Sequence, residues 1–474
     1  MVSFYALALV VVAVLLFLTF ATFRFGRGLL AKAGFFCLIA AFLILKAILP
    51  RRDGFEAPGP LLTLDKQPEL FAEIRDLSIR THQEQPAEVY LIPDANAWVA
   101  QRGGFMGIGS RRVMGLGLPL LQVLTIPELR GVLAHEFGHF HGGDVAIGPW
   151  IHRTRSALVR TVIDLQSHSE MLSQLFIWYG SLFFRVSFAV SRHQEVLADK
   201  LAASTVGKET FASGLRAVNS TGFVFATYWQ ANVAPVVSAG FAPPLAAGFE
   251  AFLKTPEVAG KLADALKHQE LHEKPSQYDT HPVLGERLAA LDVSRSNDAR
   301  IEGPPSLCLL RDLPLLEVAL VDAMIEGKLK TAPLSWDEVG SKVWLPMWRG
   351  YARRFDRLLS GVTPSSLPQT NWDGIGRSFL RDSKGDPRQA ADFVVGSALA
   401  VVLARAGFSV ECQPGLHHAL VGLGERIEVF TLREWFAKDP ESAVSWRRLC
   451  DKAGITDIDL GTACAQLDKS EGKA

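Results

Sequence analysis

The sequence predicts a predominantly helical α+β protein that begins with a transmembrane hairpin. Two apolar stretches open the chain, short strand-like segments follow between residues 88 and 116, and helical spacing of apolar residues dominates the rest. At 474 residues the chain is long enough for two or three structural units, because a single core rarely grows beyond about 250–300 residues. We divide it into the hairpin (1–50), a central domain (51–300) and a mostly helical C-terminal extension (301–474).

The composition argues against a nucleic-acid partner. Lysine plus arginine and aspartate plus glutamate each number 49, so the net charge is zero, whereas nucleic-acid binding requires a basic face. The five cysteines are scattered and form no C-x-x-C pair. Such a set is not typical of a disulfide framework or of a thiolate zinc site. It indicates reduced thiols in a domain that faces the cytosol.

The N-terminal hairpin is predicted from two apolar stretches. Residues 1–23 contain no charged side chain, and about 20 such residues span the hydrocarbon core as a helix. They lack the basic start and the A-x-A-like cleavage site of a signal peptide. The second stretch, 29–49, has Lys32 and Lys46 near its ends, where long side chains can reach the membrane interfaces. An interfacial second helix is the alternative, and the balanced positive charges leave the orientation open.

A helix carrying two histidines is the central chemical feature. Thr125 and Glu128 have the spacing of a capping box, which predicts that a helix begins there and continues into His135-Glu136-Phe137-Gly138-His139. His135 and His139 then project from one face, a spacing that suits two nitrogen ligands of one zinc ion. Zinc lowers the pKa of its bound water towards about 7, and Glu136 is placed to accept the proton. Two ordinary surface histidines are the alternative.

A second helical segment supplies the third ligand. Glu195 and Asp199 are again four residues apart and share a helix face. Glu195 completes a set of two histidines and one carboxylate, which leaves the fourth position for water. Asp199 is predicted to accept a hydrogen bond from the second nitrogen of a ligand histidine. We therefore expect one Zn²⁺ per chain, with an ordinary solvated helix face as the alternative.

In combination these segments resemble the HtpX-like membrane zinc metallopeptidases, the gluzincin group that also includes the CAAX prenyl-protein proteases. The resemblance covers roughly residues 1–292 and rests on the hairpin, Asn96-Ala97-Trp98, Val113–Leu116, Val132–His139 followed by Gly143-Asp144, Ser191–Asp199, and Tyr278–Pro282 with Arg287. It implies a zincin-type metalloprotease domain and endopeptidase activity on polypeptides, often membrane or misfolded proteins. With the cysteines, it places the protein in the bacterial inner membrane with the protease domain facing the cytoplasm.

Three further residues are candidate contacts of the substrate or the transition state. His281 and Arg287 can donate to the oxyanion that forms at the scissile carbonyl, or they can belong to a helix start and an ordinary ion pair. Asn96 and a strand near Gly103–Ile108 can bind the substrate backbone by edge-strand addition. Plain sheet structure is the alternative for that segment.

Three more segments carry expectations about structure. The region 145–190 is predicted to form helices that rest on or dip into the bilayer. The segment 231–248, rich in alanine, proline and glycine, is predicted to be a loop, and 390–406 a core helix.

The sequence therefore predicts a membrane-anchored zinc metalloendopeptidase, with the bilayer bound through residues 1–50. Two alternatives remain at this point. One is a catalytically silent, membrane-bound regulatory or chaperone-like protein, and the other is an interaction scaffold that acts through the C-terminal extension.

Overall fold

The computed structural model describes residues 2–25, 29–49, 55–103, 110–140, 147–166, 170–261, 264, 282–293, 301–325, 330–381, 384–439 and 441–466. These residues form two compact units. The first unit comprises 1–222 with 266–312, and the second comprises 223–265 with 313–474. The predicted fold class is confirmed, since helices dominate and strands are few. The predicted domain boundaries at residues 50 and 300 stay a prediction.

The first unit begins with the two hairpin helices, α1 (Val2–Phe25) and α2 (Leu29–Ile48). The Thr19 hydroxyl donates to the Gly34 carbonyl at 3.2 Å, and a Cβ atom on Gly34 would lie 2.2 Å from the Thr22 hydroxyl oxygen. Glycine at this position therefore lets the two backbones approach closely, as is common between membrane helices. Residues Ser3–Phe25 are long and apolar enough to cross a membrane. Their outward side chains, Phe17 and Phe20 among them, are exposed.

The sheet of the first unit has the strand order β1-β2-β4-β3. Its strands are β1 (Leu61–Leu62), β2 (Glu88–Ile92), β3 (Ala97–Arg102) and β4 (Arg111–Gly117). β2 and β4 are parallel and the other pairs are antiparallel, so β3 is an edge strand. β2 and β4 confirm the first and the last of the strand-like segments predicted between residues 88 and 116. The predicted strand at 104–108 lies outside the described residues.

The remaining helices of the first unit include α4 (Leu118–Val123) and α5 (Ile126–Gly138), which pack against the sheet. The others are α3 (Pro68–Arg80), α6 (Ile147–Gln166), α7 (Glu170–Val206), the first part of α8 (Lys208–Tyr228), and α11 (Leu284–Ala290). α6 and α7 confirm that the described residues of the region 145–190 are helical, and their exposed side chains include Ile163, Trp178 and Val186. Their entry into a bilayer stays a prediction.

The second unit is built around one buried helix. Its helices are α9 (Ala234–Ser238), α10 (Leu245–Lys254), α12 (Leu313–Met324), α13 (Trp336–Val339), α14 (Leu345–Arg354), α15 (Trp372–Leu380), α16 (Pro387–Arg405), α17 (Leu432–Lys438), α18 (Ser442–Ala453) and α19 (Leu460–Ala465). Its strands are β5 (Phe241–Ala242), β6 (Ala332–Pro333), β7 (Ser409–Glu411), β8 (Ala419–Gly422) and β9 (Glu425–Ile427).

The helix α16 is largely apolar from Phe393 to Ala404 and mostly buried, although its length and composition would also suit a membrane span. The prediction of a core helix is therefore confirmed. The predicted loop at 231–248 is wrong, because this segment contains a π-helical turn, α9, β5 and the start of α10. Alanine, which is abundant there, is the strongest helix former and outweighs the glycine and proline signals.

Two structural features, one in each unit, can be tested directly. The first is the contact between α5 and α7 in the first unit. An added Cβ on Gly138 would lie 2.7 Å from the Cα atom and 2.9 Å from the Cβ atom of Ala198. Since these atoms belong to a rigid helix, any side chain at position 138 must push the two helices apart.

We therefore expect Gly138→Ala to destabilise the first unit by roughly 1–3 kcal/mol, the usual cost of overpacking. Gly222→Ala is the matched control, because Gly222 lies on the exposed side of α8 with nothing within 4 Å of its added Cβ. The control should be neutral or gain up to about 1 kcal/mol from alanine's helix preference. Thermal unfolding of the detergent-purified chains measures both, and equal effects of the two changes would contradict the close contact.

The second feature is a buried carboxyl group in the second unit. Glu317 on α12 is 4% exposed, and its Oε1 atom accepts a hydrogen bond of 2.7 Å from the backbone nitrogen of Ala246 in α10. Burial raises the pKa of Glu317 from 4.5 to about 6, although the hydrogen bond opposes the rise. Between these two pKa values the folded chain holds a proton that the unfolded chain has lost. Stability must therefore fall as the pH rises through this window.

We expect this single group to lower the wild-type free energy of unfolding by about 2 kcal/mol as the pH rises from about 4 to about 7. The figure follows from about 1.36 kcal/mol per unit of pKa shift. Glu317→Gln keeps an acceptor for the Ala246 nitrogen but does not ionise. The stability of the variant relative to wild type should therefore increase by that amount over the same interval. Denaturant unfolding at several pH values measures the difference, and a difference that does not change with pH would refute it.

Candidate metal centre

The helix α5 is fixed at its start by a capping box. The Thr125 backbone nitrogen donates to Glu128 Oε2 at 2.9 Å, and the Glu128 nitrogen donates to the Thr125 hydroxyl at 3.4 Å. The Ser213 hydroxyl on α8 also donates to the Glu128 carboxylate, at 2.6 Å. The predicted helix start is confirmed. These bonds hold the buried Glu128 and, with it, the helix that carries the two histidines.

The last turn of α5 and the middle of α7 bring three potential ligands together. One ligand atom from each of His135, His139 and Glu195 lies within 4.8 Å of the others. His135 Nε2 is 3.5 Å from Glu195 Oε2, and His139 Nε2 is 3.6 Å from Glu195 Oε1. His135 and Glu195 are buried, while His139 is partly exposed. The cluster therefore opens to solvent on the His139 side.

A chain of polar contacts continues behind His135. Its Nδ1 atom lies 2.8 Å from Oδ1 of Asp199, which is one turn beyond Glu195 on α7. Arg287 of α11 donates to both oxygens of Asp199, from Nε at 2.9 Å and from one terminal nitrogen at 2.5 Å. The ring of Phe211 stacks on His135 with centroids 5.9 Å apart. The imidazole is thus held by a hydrogen bond at its edge and by an aromatic ring on its face.

The charges of this group are adjusted by its surroundings. Burial alone would raise the pKa of Asp199, but hydrogen bonds from Arg287 and His135 hold it below its usual value. Burial alone would lower the pKa of Arg287, but the bonds and charge of Asp199, with the charges of Glu195 and Glu136, raise it. Asp199 therefore stays ionised and is placed to accept from His135 Nδ1, while His135 Nε2 faces Glu195.

This donor set fits a zinc ion. Two imidazole nitrogens and one carboxylate are the ligands of many catalytic zinc sites. Zinc bonds of about 2.0–2.2 Å at tetrahedral angles place neighbouring donor atoms roughly 3.3–3.5 Å apart. The observed separations of 3.5 and 3.6 Å between histidine nitrogens and Glu195 oxygens are close to that spacing.

The other predicted site residues are Glu136, Asn96 and His281. Glu136 follows His135 on α5 and is half-buried. Asn96 is exposed, and its backbone carbonyl accepts from the Gly117 nitrogen at 2.8 Å, so it closes the sheet pairing between β3 and β4. Its side-chain contact with a substrate stays a prediction. His281 lies outside the described residues, as does Asp144.

Sequence reasoning missed two contributors to the centre. Phe211 packs on His135 and Ser213 bonds Glu128, and both lie on α8. Neither has a motif of its own, because each acts through a contact between helices that are distant in the chain. Phe211 and Ser213 lie two residues apart near the start of α8, and this spacing carries no chemical meaning by itself.

Comparisons with known proteins agree with this geometry. Residues 65–295 match the model of peptidase family M48. Protease HtpX of Buchnera aphidicola subsp. Schizaphis graminum (strain Sg) is 28% identical over 179 residues, which is 32% of this chain and 59% of that protein. A Protease HtpX homolog of Syntrophotalea carbinolica is 27% identical over 170 residues, 31% of this chain and 57% of the homolog.

A further Protease HtpX homolog, from Tropheryma whipplei (strain Twist), is 27% identical over 194 residues. That match covers 37% of this chain and 62% of the homolog. The chain thus matches a little under two thirds of the length of these relatives, and no solved structure matches it. The matched region contains all three clustered residues and Arg287. Residues 65–295 are therefore similar to peptidase family M48, and the chain has HtpX-like relatives.

Proposed function

We propose that the protein is a membrane-anchored zinc metalloendopeptidase that hydrolyses peptide bonds of polypeptide substrates. The observation that carries this proposal is the convergence of His135, His139 and Glu195, which come from two helices and lie within 4.8 Å of one another. The family of residues 65–295 supports peptidase chemistry. A silent regulatory protein would not need Glu136 next to this cluster, whereas a hydrolase does.

Each residue of the centre has a distinct proposed role. His135, His139 and Glu195 hold one Zn²⁺, which when bound lowers the pKa of water and polarises a carbonyl group. Glu136 is the general base: it takes a proton from the attacking water and passes it to the leaving amine. Asp199 fixes the tautomer and orientation of His135 through the hydrogen bond at Nδ1.

The substrate is proposed to approach along β3. In the described part of the chain this strand pairs only with β4, and it lies beside α5. An extended peptide that adds to the free edge of β3 would run past the two histidines. Asn96, at the start of β3, remains a predicted contact of that peptide. Membrane or misfolded proteins are proposed substrates, because they present extended segments near a bilayer.

The anchor is proposed to be the hairpin α1–α2. The length and apolar composition of Ser3–Phe25 support this, and so do the exposed phenylalanines on its outer face. The exposed apolar side chains of α6 and α7 would rest on or enter the same bilayer. The bacterial inner membrane, with the protease domain in the cytoplasm, is the proposed location.

The catalytic proposal predicts that Glu136→Gln abolishes cleavage but retains zinc. Losing a general base typically costs about 10²–10⁴ in rate, while the three ligands are untouched. Zinc content and hydrolysis of an unfolded casein substrate, measured on detergent-purified protein, give the two readouts.

Glu195→Ala is the contrasting variant for the same experiment, because it should lose zinc and activity together. Equal cleavage by wild type and Glu136→Gln would refute the assigned base. Undiminished zinc in Glu195→Ala would refute the assigned ligand set.

The proposed orientation predicts how Cys308 reacts. Cys308 is exposed and belongs to the first unit, while Cys412, Cys450 and Cys464 are buried. A membrane-impermeant maleimide should therefore label the chain only after the inner membrane of spheroplasts has been permeabilised. Cys308→Ser should remove the label. Labelling of Cys308 in intact spheroplasts would place the domain on the opposite side.

A further inference from the structure

We propose that Arg287 is a positioning residue for the metal centre: it fixes the Asp199 carboxylate and, through it, the ring of His135. This inference deepens the proposed function and rests on it. It differs from the expectation that Arg287 contacts the transition state, and its basis is the contact geometry of one short helix, α11.

Arg287 binds the Asp199 carboxylate through two hydrogen bonds. Two of its three guanidinium nitrogens, Nε and one terminal nitrogen, face the two carboxylate oxygens at 2.9 and 2.5 Å. This two-atom match fixes both the position and the plane of the carboxylate, which a single contact cannot do. The side chains are 13% and 5% exposed, so water competes little for either partner.

Asp199 in turn contacts His135, one of the proposed metal ligands. The oxygen that accepts the shorter bond from Arg287, Oδ1, also lies 2.8 Å from His135 Nδ1. Its position therefore determines where the Nδ1–H group points, and hence where Nε2 points on the opposite side of the ring. Stacking on Phe211 restrains the tilt of the ring but not its rotation within its own plane. The hydrogen bond to Asp199 provides that missing restraint.

Without Arg287, the buried Asp199 would lose the cation that is paired with its carboxylate. Asp199 is buried and lies one helical turn from the equally buried Glu195. A buried carboxylate without a cation is strongly disfavoured. It would have to turn towards solvent, and that movement would alter its bond to His135. Arg287 therefore contributes to metal binding without itself being a ligand.

The geometry also separates this role from contact with the reacting atoms. The terminal nitrogen bound to Asp199 lies 3.4 Å from His135 Nδ1, on the side of the ring away from Nε2. The same nitrogen is 3.9 Å from Glu195 Oε2. Arg287 thus lies behind the ligands, where it supports them, and two of its nitrogens are already occupied.

The test is a double-mutant cycle read on zinc affinity. Full-length protein in detergent is stripped of metal, and its zinc dissociation constant is measured by competition with a chromophoric chelator. We expect Arg287→Ala to weaken zinc binding by about 10- to 100-fold, the range for loss of a residue that orients a ligand. Asp199→Asn should weaken it by a similar factor. The double variant should stay within about twofold of Asp199→Asn, because the bonds of Arg287 to Asp199, at 2.9 and 2.5 Å, are much closer than its 3.9 Å approach to Glu195.

Arg433→Ala is the matched control. Arg433 grips Asp392 in the second unit with the same pair of nitrogens, at 3.0 and 2.7 Å. Its loss removes an equivalent ion pair far from any proposed ligand in sequence, and zinc affinity should not change. Arg287→Lys is the second variant, which keeps the charge but not the two-atom grip. It should lie between wild type and Arg287→Ala in zinc affinity, and it serves if the alanine variant does not fold.

The outcomes separate the possibilities. Wild-type zinc affinity in Arg287→Ala, with cleavage lost, would overturn the proposal and assign Arg287 to the reacting atoms. Multiplying effects in the double variant would overturn it as well, since Arg287 would then act independently of Asp199. Full zinc affinity in Arg287→Lys would overturn the proposed need for two hydrogen bonds from residue 287 to Asp199. A wild-type chain that binds no zinc would instead refute the proposed function.

Discussion

The close approach of α5 to α7 is the constraint on which the metal centre depends. Packed helices usually keep their axes about 8–10 Å apart, a distance set by the side chains at the contact. Gly138 lies between the two clustered histidines in the chain and faces the backbone of Ala198, which lies between Glu195 and Asp199. With only small residues at this point, an imidazole from one helix can reach a carboxylate from the other across a space suited to one ion.

Burial of charge is the second constraint, and it follows from the first. Glu195 and Asp199 are each only 3% exposed, and such carboxylates are stable only when cations or donors surround them. Arg287 supplies one positive charge, against two carboxylates and the nearby Glu136. A divalent cation held by His135, His139 and Glu195 would add further positive charge beside these carboxylates. Glu128, which is equally buried, is stabilised differently, by donors from Thr125 and Ser213.

The parts of this arrangement that the sequence predicts are those that repeat within one helix. The spacing of His135 and His139, the spacing of Glu195 and Asp199, and the capping box before them are all local patterns. The fold class and the helical hairpin follow from composition in the same way. Contacts between distant segments have no such period. The grip of Arg287 on Asp199 and the stacking of Phe211 on His135 depend on how helices pack, and no spacing rule encodes them. Gly138 shows the same limit, because its role appears only when its neighbour across the helix interface is known.

The length of α7 connects the chemistry to the proposed membrane location. The helix has 37 residues, so at about 1.5 Å per residue it is roughly 55 Å long. Its first half exposes apolar side chains such as Trp178 and Val186, whereas Glu195 lies in its second half. From Val190, which is also exposed, to Glu195 is about 7.5 Å along the axis. If the apolar face rests in a bilayer, a single rigid helix sets the height of the metal centre just beyond that layer. Segments of polypeptide that emerge from the membrane would then be the ones within its reach.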